Sequence, residues 1–269
     1  MTVLSTAAAF AEAEGRAVLV GYLPAGFPDA SGAIEALKVM VDAGCDIIEV
    51  GLPYSDPVMD GPTIQAAAQQ ALESGFRTAD VIRTVEAIAA TGTPTLVMTY
   101  WNPIERYGVD RFATDLVNAG GAGLITPDIT PDRGTEWIEV ADAHGLDKVF
   151  LVAPSSTDER IAMTTAACRG FVYATAVMGV TGARATTSEL AGPLVARAKA
   201  TTTLPIGVGL GVSNGEQAAE VAGFADAVIV GSAFVRALLD SGTDRQGGLQ
   251  RLRTLTEDLA DGVRRGSPS

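Results

Sequence analysis

Glu49 and Asp60 bracket the stretch of this chain best suited to do chemistry, Ile47–Thr63, IIEVGLPYSDPVMDGPT. Glu49 lies in a short apolar run, Ile47-Ile48-Glu49-Val50, that reads as a strand. A buried carboxylate without a partner costs several kcal/mol or neutralises itself by a raised pKa. Such a carboxyl can give up a proton near neutral pH and take one back, which is general acid–base work. The run breaks at Gly51 and enters a loop carrying Pro53, Ser55, Asp56, Pro57, Asp60 and Gly61. Pro62 stands where a helix can begin, since proline suits the first helical position. The plain alternative is a Glu held by backbone donors in a structural turn, because structural networks also perturb carboxylates.

The surrounding chain alternates strand-like and helix-like runs. The strand candidates are Ala17–Leu23, Asp46–Val50, Thr95–Thr99, Gly123–Thr126, Lys148–Val152, Gly170–Ala174, Pro205–Val208 and Ala227–Val230. They are continuous Val/Ile/Leu-rich runs, as strands covered on both faces should be. Helical patterns fall between them at Ala33–Ala43, Thr78–Ala90, Asp110–Ala119, Thr135–Ala143, Glu159–Ala167, Glu189–Ala200 and Glu216–Ala222. The chain closes with Ala233–Leu239 and Leu249–Arg264, ahead of a tail, RRGSPS, that should fray. An N-terminal helix and an extra helix at Pro62–Glu73 complete the pattern. Eight strand–helix units predict a (β/α)₈ TIM barrel, one α/β domain over residues 1–269. An open doubly wound sheet usually shows a glycine-rich fingerprint after its first strand, and Tyr22-Leu23-Pro24-Ala25-Gly26-Phe27-Pro28 is not one.

Barrel enzymes work at the C-terminal ends of their strands, and that rule sorts the reactive side chains. His144, Cys45, Cys168 and Lys148 precede or open strands, while Lys38 and Lys199 sit on helices. None is placed as a Schiff-base lysine, a zinc ligand or the histidine of a triad. The active face instead holds Glu49, Asp56, Asp60 and Asp128, with Tyr22, Tyr100, Asn102, Tyr173 and Thr175. Carboxylate acid–base chemistry is therefore the expectation. The loops after strands seven and eight are the usual phosphate site of this fold. Here they read Gly207-Val208-Gly209-Leu210-Gly211-Val212-Ser213-Asn214 and Ile229-Val230-Gly231-Ser232-Ala233-Phe234. Gly209 and Gly211 let backbone approach an anion, Ser213 or Asn214 can cap the next helix, and Gly231-Ser232 opens a short helix onto the ligand. Ala176–Ser188, rich in Gly, Thr and Ala, is either a plain connection or a lid over the substrate.

Composition narrows the partners. A formal charge of −13 disfavours nucleic acid and anionic lipid surfaces. It leaves room for one small phosphorylated substrate held by backbone donors. No apolar run is long enough to span a membrane, the N-terminus lacks the features of a signal peptide, and Cys45 and Cys168 have no metal-ligand spacing. These features predict a cytoplasmic protein.

The run Glu49-Val50-Gly51-Leu52-Pro53-Tyr54-Ser55-Asp56-Pro57-Val58-Met59-Asp60-Gly61 resembles the signature of the tryptophan synthase alpha chain family. The likeness extends from about Gly15 to Leu252 through Pro24-Ala25-Gly26, Met98-Thr99-Tyr100-Trp101-Asn102-Pro103, Pro127-Asp128, Gly179-Val180-Thr181-Gly182, Gly209-Leu210-Gly211 and Val230-Gly231-Ser232. Phe27, where many relatives have Asp, and Met98 and Leu210 depart from it.

The resemblance implies a TIM barrel that cleaves indole-3-glycerol phosphate to indole and glyceraldehyde 3-phosphate by a retro-aldol step. In that reading Glu49 protonates indole C3 and takes the side-chain hydroxyl proton, while Asp60, ionised, accepts from the indole N–H. Gly182, Gly211, Gly231 and Ser232 would hold the phosphate and Tyr173 the glycerol phosphate portion. Tyr22, Met98, Tyr100, Leu124 and Leu151 would line the indole pocket, and Thr181 of the closing loop would meet Asp56. No metal and no cofactor is implied for this chain. Pyridoxal phosphate (PLP) belongs to a partner beta chain in an α₂β₂ heterotetramer, which receives indole through a tunnel. Pro53–Asp60 and Asn102–Gly108 would be partner-facing loops. Two rival readings are a Mg²⁺-dependent lyase using Glu49, Asp56, Asp60 and Asp128 as oxygen ligands, and a non-catalytic activating subunit.

Overall fold

The apolar runs pair in parallel and in sequence order, each strand laid against the next and β8 back against β1, closing a barrel. The computed structural model describes residues 4–175 and 187–266. The chain runs α1 (Thr6–Glu12), β1 (Val18–Pro24), α2 (Ala30–Asp42), β2 (Ile47–Gly51), α3 (Pro62–Glu73), α4 (Thr78–Ala89), β3 (Thr95–Met98), α5 (Trp101–Tyr107), α6 (Val109–Asn118) and β4 (Gly123–Thr126). It continues through α7 (Thr135–His144), β5 (Asp147–Val152), α8 (Asp158–Ala167), β6 (Val172–Thr175), α9 (Thr187–Lys199), β7 (Ile206–Gly209), α10 (Gly215–Ala222), β8 (Ala227–Val230), α11 (Ser232–Leu239) and α12 (Arg245–Gly266).

The expected strands all form, with small shifts at their ends. The largest is at β6, which begins at Val172 and not Gly170. Gly170 has φ +92°, and a Cβ there would meet Thr6 Oγ1 and Asp147 Oδ2 at 2.5 and 2.8 Å, so the chain turns before it can pair. Two other expectations are corrected. Asn102–Gly108 is not a loop, because Trp101–Tyr107 is helical. Pro103 lies in the first turn, where proline is tolerated, and Asp128 supplies the cap by accepting from Trp101 N at 3.0 and 3.1 Å. The tail is ordered further than expected, since α12 reaches Gly266. Gly262 and Gly266 let α12 lie against α10 so closely that a Cβ at either would strike the Gly215 or Ala219 carbonyl.

The core has two layers. Val18, Val20, Ile47, Leu96, Ile125, Val149 and Phe171 fill the barrel, while Leu19, Ile48, Val50, Val97, Leu124 and Val228 face the helices. Burying each such side chain contributes about 2 kcal/mol. Helix α1 closes the N-terminal end of the barrel, with Phe10 against Phe171 at 6.0 Å between ring centroids. Buried Asp147 anchors it, accepting from Ser5 Oγ at 3.0 Å, Thr6 N at 2.8 Å and Thr6 Oγ1 at 2.7 Å. Removing such a carboxylate orphans its buried donors, so Asp147→Ala is expected to lower stability by about 3 kcal/mol. An unchanged urea unfolding midpoint would rule out this anchoring role. Among the described residues no helix is long and apolar enough to cross a membrane.

Candidate functional site

Side chains alternate between the two sides of a barrel wall, so parity along each strand decides what reaches the interior. At the C-terminal end of the barrel the inward positions surround a cavity of about 440 Å³. Tyr22, Glu49, Met98, Leu151, Tyr173, Thr175, Gly209 and Ile229 form its walls, and Asp60, Gly211, Gly231 and Ser232 lie at its rim. A cavity of this size suits a small organic ligand.

One end holds a buried, unpartnered carboxyl. Glu49 is fully buried, and neither carboxyl oxygen has a hydrogen-bond partner among the described residues. Burial pushes its pKa up to about 8. The plain alternative, a Glu held by backbone donors, therefore fails here. Asp60 is only partly buried. Its pKa is also raised by burial, but the Tyr100 hydroxyl beside it favours the ionised form. Tyr22 feels both carboxylates, and burial followed by their charge holds its phenol well above the usual range. Tyr173 is likewise raised, by burial and then by Glu49. Room for both phenols comes from glycine. A Cβ at Gly51 would meet Tyr22 Oη at 2.4 Å, and one at Gly209 would meet Tyr173 Oη at 2.3 Å.

The loop that carries Asp60 is held from several sides. Met59 N donates to Tyr100 Oη at 3.0 Å, and Gln65 Nε2 donates to the Asp60 carbonyl at 2.7 Å. Tyr100 thus meets the pocket through Asp60 and its loop, not as a wall of the apolar cavity.

The other end has the glycines and uncapped helix start that an anion site needs. The turn Gly209-Leu210-Gly211 and the start of α11 both border the cavity. Gly211 needs φ +79°, which glycine adopts without strain. Gly231 precedes the first residue of α11 with no side-chain cap, so the first amides of that helix are available to a ligand. Asn214, not Ser213, caps α10, accepting from Gln217 N at 3.0 Å.

Besides Tyr100, a second expected lining residue is corrected. Leu124 is buried in the layer between barrel and helices and does not border the cavity; Ile125, one residue on, faces the interior. A one-residue change of parity moves a side chain to the other face. Asp56 is exposed and accepts from Ser55 Oγ at 2.6 Å. Thr181 and Gly182, with most of the expected 176–188 loop, lie outside the described residues. Phe27 is buried in the core, away from the cavity, whereas Met98 and Leu210 line it.

Further residues at the cavity had not been singled out from the sequence: Met59, Thr63, Ile64, Ile229 and Arg236. Parity with Gly231 could have flagged Ile229, and the one-turn spacing from Ser232 could have flagged Arg236. The residues assigned to the barrel's other end or its rim stay there. Lys148 pairs with Asp142 at 2.5 Å, Lys199 with Asp226 at 2.9 Å and His144 with Asp110 at 3.3 Å. Among the described residues no three His, Cys, Asp or Glu side chains are grouped to hold a metal ion. Two of the four ligands that a Mg²⁺ site required, Asp56 and Asp128, are engaged by Ser55 and by Trp101 N.

Known proteins share this architecture and sequence. Residues 8–264 match the family model described as tryptophan synthase alpha chain. The tryptophan synthase alpha chain of Acidothermus cellulolyticus is 60% identical over 265 residues, covering 98% of this chain and 98% of the relative. That of Mycobacterium marinum is 58% identical over 257 residues, covering 95% and 93%. A crystal structure of tryptophan synthase from M. tuberculosis, in an open form, superposes with a TM-score of 0.88 at 52% identity, covering 97% of this chain and 99% of that one. Tryptophan synthase subunit alpha from Legionella pneumophila gives 0.88 at 30% identity, covering 96% and 98%. Agreement of this extent, over nearly the full length and on the same closed barrel, makes the chain a member of the tryptophan synthase alpha chain family.

Proposed function

We propose that this alpha chain cleaves indole-3-glycerol phosphate with Glu49 as the proton carrier and Asp60 as the charge that steadies the ring. The observation that carries the reading is a fully buried Glu49 without a hydrogen-bond partner among the described residues, opening on the same cavity as Asp60 and the glycine-rich anion end. Protonated Glu49 delivers its proton to indole C3, which leaves the ring cationic and able to accept an electron pair. Asp60 accepts from the indole N–H and stabilises that cation. The Glu49 carboxylate then takes the proton of the side-chain hydroxyl. The oxygen forms the aldehyde, and the carbon–carbon bond breaks toward C3. Indole and glyceraldehyde 3-phosphate leave, and Glu49 is protonated again. A pKa of about 8 suits a group that must give and receive one proton in each cycle.

Gly211, Gly231 and Ser232 hold the phosphate by backbone amides and the α11 N-terminus, as the open amides support. Tyr22, Met98 and Leu151 flank the indole. The chain itself takes no cofactor, and pyridoxal phosphate resides in the beta chain of the α₂β₂ assembly. The loop before Asp60 exposes Val58 and Met59, 76% and 48%, which suits a partner-facing surface. Free Cys45 and Cys168 suit the reducing conditions of the cytoplasm. One domain, residues 1–269, carries all these roles.

The test is indole release from indole-3-glycerol phosphate by the full chain, alone and with a beta chain. Slow release alone and faster release with the partner is the expected result. No release under either condition would overturn the reading. A smaller check concerns Tyr100. Tyr100→Phe is expected to lower kcat about three- to tenfold, because Asp60 and Met59 N both lose a hydrogen-bond partner. A wild-type kcat would remove Tyr100 from the account.

A further inference from the structure

Arg236 is the one cationic side chain bordering the cavity among the described residues. It sits one turn after Ser232 on α11, and no carboxylate pairs with it among the described residues. Its Nη2 donates to Thr63 Oγ1 at 2.7 Å, across 173 residues of sequence. Thr63 is in the first turn of α3, immediately after Pro62, and also borders the cavity. Proline at the first helical position restricts the backbone there. Gln65, in the same turn, holds the Asp60 carbonyl. The start of α3 and Asp60 are therefore mechanically continuous, and Arg236 joins them to the helix whose N-terminus faces the anion end.

We propose that Arg236 is a positioning residue that couples the phosphate end of the cavity to Asp60, through its hydrogen bond to Thr63. Its charge attracts the phosphate dianion, and a guanidinium has further N–H donors beyond the one given to Thr63. A filled phosphate site then holds the guanidinium in place, and the guanidinium holds the α3 start and Asp60 in register with the indole ring. The inference rests on the proposed reaction and adds to it a residue outside the expected phosphate set.

The test is a double-mutant cycle on the full chain with its beta chain, using Arg236→Met, Thr63→Val and the pair, with Arg236→Lys added. Each single variant is expected to lower kcat about three- to tenfold, and the pair no further, because both remove one shared interaction. Inorganic phosphate, as a competitive inhibitor, should weaken about three- to tenfold in Arg236→Met and change less than about twofold in Thr63→Val. Arg236→Lys should keep phosphate inhibition within about twofold yet lose kcat, since an ammonium lacks the fork. Thermal midpoints close to wild type separate this from a folding defect. Effects that multiply in the pair, or a wild-type kcat in Thr63→Val, would overturn the coupling while the reaction stands. A wild type that releases no indole would overturn the functional reading, and this inference with it.

Discussion

Glu49→Gln should lower kcat for indole release by about 10²–10⁴-fold, the usual range for loss of a positioned general acid–base. The amide keeps the shape of the carboxyl and still fits the buried site, but it can neither give a proton to C3 nor take one from the hydroxyl. Substrate KM should change little, because phosphate and ring contacts are untouched. The same substitution has a stability signature. A carboxyl whose folded pKa lies above its unfolded value binds a proton more tightly in the folded state. Its contribution is fully present below the unfolded pKa, near 4.5, and is lost as pH rises toward about 8. Over that window it should make wild-type stability fall by up to about 1.4 kcal/mol per pH unit, and Glu49→Gln should lack this contribution. Urea unfolding of both proteins between pH 5 and 8.5 (roughly the window set by the shift) measures the difference. Equal slopes would show that Glu49 does not titrate as its burial requires, and a kcat within threefold (about 0.7 kcal/mol) would remove it from the chemistry.

Asp60→Asn should cost about 10²-fold in kcat, since its carbonyl can still accept from the ring N–H but carries no charge to stabilise the cation. The pH profile distinguishes the two carboxylates. In the proposed reaction Glu49 starts protonated, so kcat/KM should fall as pH rises through about 8. The same proposal has Asp60 ionised, so activity should fall as pH drops through its own pKa, which burial raises above the ordinary aspartate value. The wild-type profile is then bell-shaped. Asp60→Asn should abolish the acid limb and leave the basic one. Tyr100→Phe should move the acid limb upward, because the hydroxyl that favours ionised Asp60 is gone. A single-limbed wild-type profile, or an acid limb unmoved in Asp60→Asn, would overturn this division of labour.

The amino-acid sequence by itself determined the strand–helix alternation, the placing of a carboxylate inside the second strand and the glycines at the ends of strands seven and eight. Each is a local property, since covered parallel strands need unbroken apolar runs, and helices declare themselves by period and cap. It also sorted the reactive residues by end of the barrel, which put His144, Lys148 and Lys199 aside without coordinates. Unbroken apolar runs carry no alternation, however, so they cannot say which face a residue takes. Nothing in the run could therefore check Leu124, which the resemblance puts in the indole pocket; Ile125 holds the interior position. Only closure of the barrel sets that parity. Helix α5 likewise depends on a cap from Asp128, on a different loop. Whether a carboxyl is unpartnered, and so titrates near neutrality, depends on every neighbour that folding brings or withholds. Glu49 and its pKa belong there. So does the Arg236–Thr63 hydrogen bond, whose partners lie 173 residues apart and meet because α3 and α11 are adjacent on the closed barrel.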